Sequence, residues 1–182
     1  MLFRSPSIGE VEKKIGENCA SLIEDGSTLQ LGIGAIPEAV LLFLKDKKDL
    51  GIHSEMISDG VVELVEAGVI TNKMKTLHPG ISVVSFLMGT KRLYDFVDNN
   101  PSVEMYPVNY VNNPITIMKN YKMVSINSCV QVDIMGQVCS ECIGLKQISG
   151  VGGQVDFVRG VNMSEDGISI IAIPSTASKG KI

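Results

Sequence analysis

Glu55 lies in the stretch Leu50-Gly-Ile-His-Ser-Glu-Met-Ile-Ser-Asp-Gly60, between two glycine-rich turns of the chain. A carboxylate at or near the carboxyl end of a strand in an α/β protein stands where ligand crevices form. Upstream of it is Gly32-Ile-Gly34, and downstream is Ser149-Gly-Val-Gly-Gly-Gln-Val-Asp-Phe157. Turns of this kind can present backbone N–H groups to an anion or a developing oxyanion, and they let the backbone approach a ligand closely. Asn112-Asn113, ahead of Pro114, adds two short amides of the sort that hold a carboxylate. Taken singly, each feature has an ordinary use: a solvated loop carboxylate, glycines at a tight β–α turn, asparagines satisfying local backbone. Together they mark a candidate site.

Hydrophobic spacing outlines the elements that must position these residues. Ser7-Ile-Gly-Glu10 matches a capping box, and Ile8, Val11, Ile15, Cys19, Leu22 and Ile23 then follow one helical face to a stop at Asp25-Gly26. Thr28 to Leu31 reads as a strand that breaks at Gly32-Ile-Gly34, and Pro37 begins a helix running through Glu38 to Lys45. Leu50 to Ile52 reads as a buried strand entering a turn at His53-Ser-Glu55. Ser58-Asp59 then caps a helix through Val61, Leu64 and Val65 that Gly68 stops. Ile81 to Met88 reads as a central strand and Lys91 to Val97 as a helix, with His78 in a surface loop. Val103 to Val108 is expected at a sheet edge, because Pro107 cannot donate to a ladder. Ile115 to Lys119 is a short helix, Met123 to Asn127 and Val130 to Met135 are strands, and Gly136-Gln137 is a hairpin turn into Val138. The β-branched run Ile168 to Ile173 reads as a buried strand, followed by a polar, basic end. Alternating strands and helices in 182 residues predict one α/β domain.

Composition narrows the function classes. Apolar residues make up 45% of the chain and charged residues 20%, a soluble globular balance. A net charge of -4 gives no basic footprint for nucleic acid. No apolar run is long enough for a membrane span, and Arg4-Ser-Pro6 interrupts any signal peptide, so a cytoplasmic protein is expected. Cys19, Cys129, Cys139 and Cys142 are too few for a disulfide framework. Cys139-Ser-Glu-Cys142 has C-x-x-C spacing, but no second pair completes a zinc site, so free thiols and no metal are expected. Neither glycine turn fits G-x-G-x-x-G or the P-loop spacing.

Gly32-Ile-Gly-Ala-Ile-Pro37, His53-Ser-Glu-Met56, Asn112-Asn-Pro114 and Gly150-Val-Gly-Gly-Gln-Val-Asp-Phe157 occur in an order that resembles the acetyl-CoA hydrolase/transferase family, most nearly its 4-hydroxybutyrate CoA-transferase members. The likeness spans nearly the whole chain. It implies an open CoA-transferase-type α/β sheet with flanking helices, corresponding to a carboxyl-terminal domain. In the family, an amino-terminal domain precedes this part, and further strands with a Thr-Glu-Tyr-Gly-like motif follow it. Residues 1–182 are therefore expected to be a domain incomplete at its carboxyl end. By the same likeness, Glu55 matches the catalytic glutamate. Gly32, Ile33, Gly34, Ala35 and Ile36 match a loop near CoA, with the Ile33 N–H as an oxyanion donor. Gly153 matches the other donor, Asn112 a substrate-carboxylate amide, and Lys179 a lysine approaching CoA.

The implied reaction is CoA transfer between an acyl-CoA and a short carboxylic acid through a glutamyl-CoA thioester, with coenzyme A as substrate and no metal. Its partners would be small molecules, with no nucleic acid and no membrane, and the sheet edges left unpaired favour a homo-oligomer. A hydrolase that admits water and a non-catalytic CoA-binding fragment are the alternatives. Glu141 is the rival nucleophile, nine residues before Gly150 of the second glycine loop.

Overall fold

The computed structural model describes residues 7–177. Helix α1 (Glu10–Ala20) leads into four strands that alternate with helices: β1 (Thr28–Leu31), α2 (Ala35–Leu42), β2 (Gly51–Ile57), α3 (Asp59–Glu66), β3 (Ser82–Leu87), α4 (Lys91–Val97) and β4 (Val103–Met105). Two single-turn helices, α5 (Val108–Val111) and α6 (Pro114–Ile117), carry the chain back to β5 (Met123–Ser128). An excursion of two small antiparallel hairpins follows, β6 (Gln131–Val132) with β7 (Val138–Cys139), and β8 (Cys142–Ile143) with β9 (Lys146–Gln147). Helix α7 (Gln154–Met163) and β10 (Ile168–Ala172) complete the described chain.

The main sheet has the order β10-β5-β1-β2-β3-β4, and every neighbouring pair is parallel. From β1 the chain builds outward through β4 on one side, then returns to lay β5 and β10 on the other. Such a reversal leaves a crevice at the carboxyl ends of the two strands beside it, here β1 and β5. No helix among the described residues is long and apolar enough to cross a membrane.

The period-2 alternation of the strands divides the core between the sheet's two faces. On one, Leu29, Leu31, Ile52, Val84, Val124 and Ile126 pack with side chains of α1 to α4, such as Val40, Val61 and Leu93. On the other, Val83 and Met123 pack with Val111, Ile117, Phe157 and Val161 from α5 to α7. Helix α1 closes tightly on α2: a Cβ at Gly16 would lie 2.7 Å from the Ala39 carbonyl carbon and oxygen. Since α2 carries the first glycine turn, Gly16→Ala should push that helix off the sheet. An overpacking cost of about 1–3 kcal/mol is expected, read as a lowered thermal midpoint in calorimetry.

Several boundaries differ from the sequence reading. The first helix is capped at Gly9, whose N–H donates to Glu12 Oε2 at 2.9 Å, and not by Ser7 and Glu10. Helix α2 starts at Ala35, two residues before Pro37. His53-Ser-Glu55 is no turn: β2 continues through it to Ile57, because His53 and Ser54 are buried with partners in neighbouring elements (below). The expected strand Val130 to Met135 shrinks to Gln131–Val132, and Ile168 to Ile173 forms a partly exposed edge strand. Helix α7 was not foreseen. His78 is only partly exposed, at φ 53°, with Nε2 and the Tyr110 hydroxyl 2.7 Å apart. Lys75 is buried and donates to Ile52 O at 2.7 Å and Ile81 O at 2.5 Å, tying the amino ends of β2 and β3. Burial pulls its ammonium pKa down to about 7.

Candidate active site

Glu55 stands near the carboxyl end of β2, two residues after His53 and therefore on the same face, toward the α5–α7 layer. The β1–β2 ladder runs through Thr28↔Gly51 and Leu29↔Ile52. Beyond it, Leu31 N–H donates to the Ser54 hydroxyl at 3.2 Å, so a side chain takes the place of a backbone ladder partner between these strand ends. Glu55 lies next to this break. None of the ion pairs among the described residues involves it.

His53 anchors the strand beneath Glu55. It is fully buried, and its Nε2 lies 2.9 Å from Val111 O, so that nitrogen carries the proton while Nδ1 is left without a partner. Burial holds the imidazole neutral and lowers its pKa from 6.5 to about 4, against the opposing pull of the Val111 bond. The unfolded chain thus takes up a proton near pH 6.5 and the folded chain only near 4. Stability from His53 is therefore full above pH 6.5 and is lost as pH falls toward 4, by at most roughly 3 kcal/mol. Thermal melts across that window should fall more steeply for the wild type than for His53→Gln; parallel curves would refute the assignment.

Gly153, the residue before α7, comes up against Glu55 from the opposite layer. A Cβ placed there would sit 2.6 Å from Glu55 Oε2 and 2.5 Å from Asn112 Nδ2. Three residues that are 41 or more apart in sequence, Glu55, Asn112 and Gly153, thus share one point in space. Asn112, at the end of α5, is buried with its amide nitrogen toward this point, and its Oδ1 is without a partner among the described residues.

The other glycine turn closes the site from the β1 side. Gly32 N–H donates to Ile126 O at 2.7 Å, and a Cβ there would be 2.8 Å from Asn127 Oδ1, so the turn lies tight on β5. Gly34 has φ 123°, a conformation open to glycine, and caps α2 without a side chain. Gly153 likewise caps α7 without a side chain. Two helix amino ends, with first-turn N–H groups lacking side-chain acceptors, therefore approach the region of Glu55 from opposite faces of the sheet. Gly32, Ile33, Glu55, Gly150, Gly152 and Gly153 all line one cavity of about 690 Å³. Ala35 and Ile36 form the first turn of α2, with Ile36 turned into the core. Lys179 lies outside the described residues.

Gln30, Asn127, Ser140 and Arg159 also line this cavity and escape the sequence reading as site residues. Gln30 and Asn127 join across β1 and β5 by a reciprocal amide pair at 3.1 and 2.9 Å, buried at the cavity floor. The signal available was a polar residue inside an otherwise apolar strand, Leu29-Gln-Leu31. Ser140, Glu141 and Arg159 also reach the cavity, the first two from the hairpin excursion. The rival carboxylate is thus on the wall, while Glu55 is the one set against Gly153 and Asn112.

Comparison with known proteins bears on what such a cavity holds. Residues 89–182 match the model of the acetyl-CoA hydrolase/transferase C-terminal domain. The chain is 80% identical over 180 residues to a 4-hydroxybutyrate coenzyme A transferase of Clostridium kluyveri, covering 99% of this chain and 42% of that protein. It is 55% identical over 175 residues to a succinyl-CoA:acetate/propanoyl-CoA:succinate CoA transferase of Fasciola hepatica, covering 94% of this chain and 37% of that one. A crystal structure of 4-hydroxybutyrate CoA-transferase from Porphyromonas gingivalis superposes with a TM-score of 0.87 at 54% identity, covering 98% of this chain and 42% of that one. The chain thus spans about two fifths of the length of the relatives it matches.

Proposed function

This chain belongs to the acetyl-CoA hydrolase/transferase family, and from that premise we propose that it forms part of the carboxyl-terminal domain of a CoA-transferase. The reaction moves CoA between an acyl-CoA, such as acetyl- or butyryl-CoA, and a short acid such as 4-hydroxybutyrate. One observation carries the assignment of roles: Glu55 Oε2 and Asn112 Nδ2 both abut Gly153 at the mouth of an uncapped helix.

Transfer between two acids calls for a carboxylate nucleophile, because CoA must rest on a group of similar acidity. Glu55 attacks the thioester carbonyl and expels CoA thiolate, leaving a mixed anhydride. The thiolate then attacks the glutamyl carbonyl and releases the first acid, leaving glutamyl-CoA. The incoming acid reverses both steps. Each tetrahedral intermediate carries charge on an oxygen, which the N–H groups of Gly153 and Ile33 stabilise. The Asn112 amide nitrogen holds the acid's carboxylate. The remaining loop residues Gly32, Gly34, Ala35 and Ile36 let the CoA thiol end lie close to the backbone.

Intact-mass analysis after mixing with acetyl- or butyryl-CoA, followed by peptide mapping, tests this reading. One CoA on the Glu55 peptide is expected; binding of CoA with no adduct would refute the nucleophile. CoA release that does not depend on an added acid would instead favour hydrolysis. We also infer self-association through β4 and β10, the outer strands of the sheet among the described residues. Light scattering should give a mass above that of one chain, and a stable monomer would refute it.

A further inference from the structure

The reaction above leaves Cys139 and Cys142 unused. They end β7 and begin β8, and the two residues between them, Ser140 and Glu141, line the cavity. Both thiols are free and partly exposed. Cys142 N–H donates to Cys139 Sγ at 3.3 Å, so the turn directs a backbone dipole at that sulfur. Backbone N–H groups of Glu141 and Cys142 lower the Cys139 pKa, which favours its thiolate. The Cys142 thiol donates to Gln147 Oε1 at 3.0 Å, within the same pair of hairpins. One sulfur is thus disposed to attack, and a second stands at the spacing of a resolving thiol.

We propose that Cys139 and Cys142 form a dithiol that exchanges with a disulfide of the cavity's own thiol ligand, CoA disulfide. This rests on the CoA site proposed above. Cys139 thiolate attacks one sulfur of CoA disulfide, forming a mixed Cys139–CoA disulfide and expelling one CoA thiolate. Cys142, losing its proton to solvent, then attacks the Cys139 sulfur, forming the Cys139–Cys142 disulfide and expelling the second CoA thiolate. The protein dithiol is oxidised, CoA disulfide is reduced to two thiols, and no other oxidant enters. The product closes a link across the turn that holds Ser140 and Glu141 on the wall.

The test mixes the reduced full-length protein with CoA disulfide and, separately, with glutathione disulfide, and reads intact mass and peptide maps. The wild type should lose two hydrogens and release two CoA per chain, while Cys142→Ser should stall with one CoA on Cys139. Cavity binding should make CoA disulfide react at least about tenfold faster than glutathione disulfide. Equal rates, an adduct confined to Cys19 or Cys129, or no reaction would each overturn the proposal. Calorimetric titration with reduced CoA separates the two readings. Binding without exchange removes the dithiol alone, whereas absent binding removes the CoA site on which it rests.

Discussion

Glu55→Gln should abolish adduct formation and lower CoA transfer by on the order of 10⁵-fold, as loss of a nucleophile does in enzymes acting through covalent intermediates. The amide keeps the length and volume of the side chain, so its packing against Gly153 and Asn112 survives, but it offers no carboxylate oxygen to attack a thioester. The fold should be unaffected, because no ion pair among the described residues depends on this carboxylate. Unchanged thermal midpoint with lost adduct is the expected pair of results. Glu55→Asp should fail as well: one methylene shorter, its oxygens withdraw from the point shared with Gly153 and Asn112. Misplacement by about 1 Å costs on the order of 10²-fold. The rival carboxylate supplies the counter-test. If Glu55→Gln still formed the adduct and Glu141→Gln did not, the roles would have to be exchanged.

A nucleophilic carboxylate must be ionised, near its electrophile and not consumed by a salt bridge. For the proposed nucleophile, the fold places Glu55 where a parallel ladder gives way to the Ser54 hydroxyl, beside the reversal of strand order, and outside every ion pair among the described residues. Below it, His53 is neutral and takes no part as a counter-charge. In the proposed reaction, backbone donors from two helix amino ends stabilise the charge that develops on oxygen, while no ion pair among the described residues holds the ground-state carboxylate. Stabilisation confined to the transition state is what raises a rate.

How far the sequence disclosed this arrangement depended on the kind of signal. Thr28–Leu31 and Lys91–Val97 were read with their observed bounds, since an apolar strand ending in glycine and a helix with apolar spacing are local patterns. Glu55 and the two glycine turns stood out through their composition, and all three face one cavity. What failed was non-local. His53, Ser54 and Glu55 read as a turn because three polar residues in a buried strand look unpaid. The partners of His53 and Ser54, Val111 O and Leu31 N–H, lie 58 and 23 residues away. Helix α7 was hidden because glycines fill its cap and Gly160 interrupts it. That interior glycine is needed where α6 closes in, as a Cβ there would lie 2.5 Å from Ile117 Cβ. The Ile168 run read as buried, yet its place at the sheet edge is set by strand order, which no periodicity encodes. The Gln30–Asn127 pair joins residues 97 apart and was visible only as a lone polar residue in a strand.

Gly153→Ala should cost on the order of 10²- to 10³-fold in transfer rate, while its neighbour Gly152→Ala should be nearly silent. The contrast follows from space alone. At Gly152 an added Cβ meets nothing within 4 Å, whereas at Gly153 it would stand 2.6 Å from Glu55 Oε2 and 2.5 Å from Asn112 Nδ2. Neither glycine has a positive φ, so backbone strain does not separate them. The methyl group must therefore displace the carboxylate, the amide, or the start of α7 with its N–H donor, and each displacement harms a different element of the same reaction. Which one gives way can be read from the kinetics. A shifted carboxylate or oxyanion donor lowers kcat with substrate binding kept, whereas a shifted Asn112 raises KM for the acid. Both variants should melt close to the wild type, because the atoms a Cβ at Gly153 meets are the ends of two side chains and not backbone, unlike those at Gly16. Equal activities for the two alanine variants would mean that Gly153 does not need to lie against Glu55, and the assignment of its N–H as an oxyanion donor would fall with it.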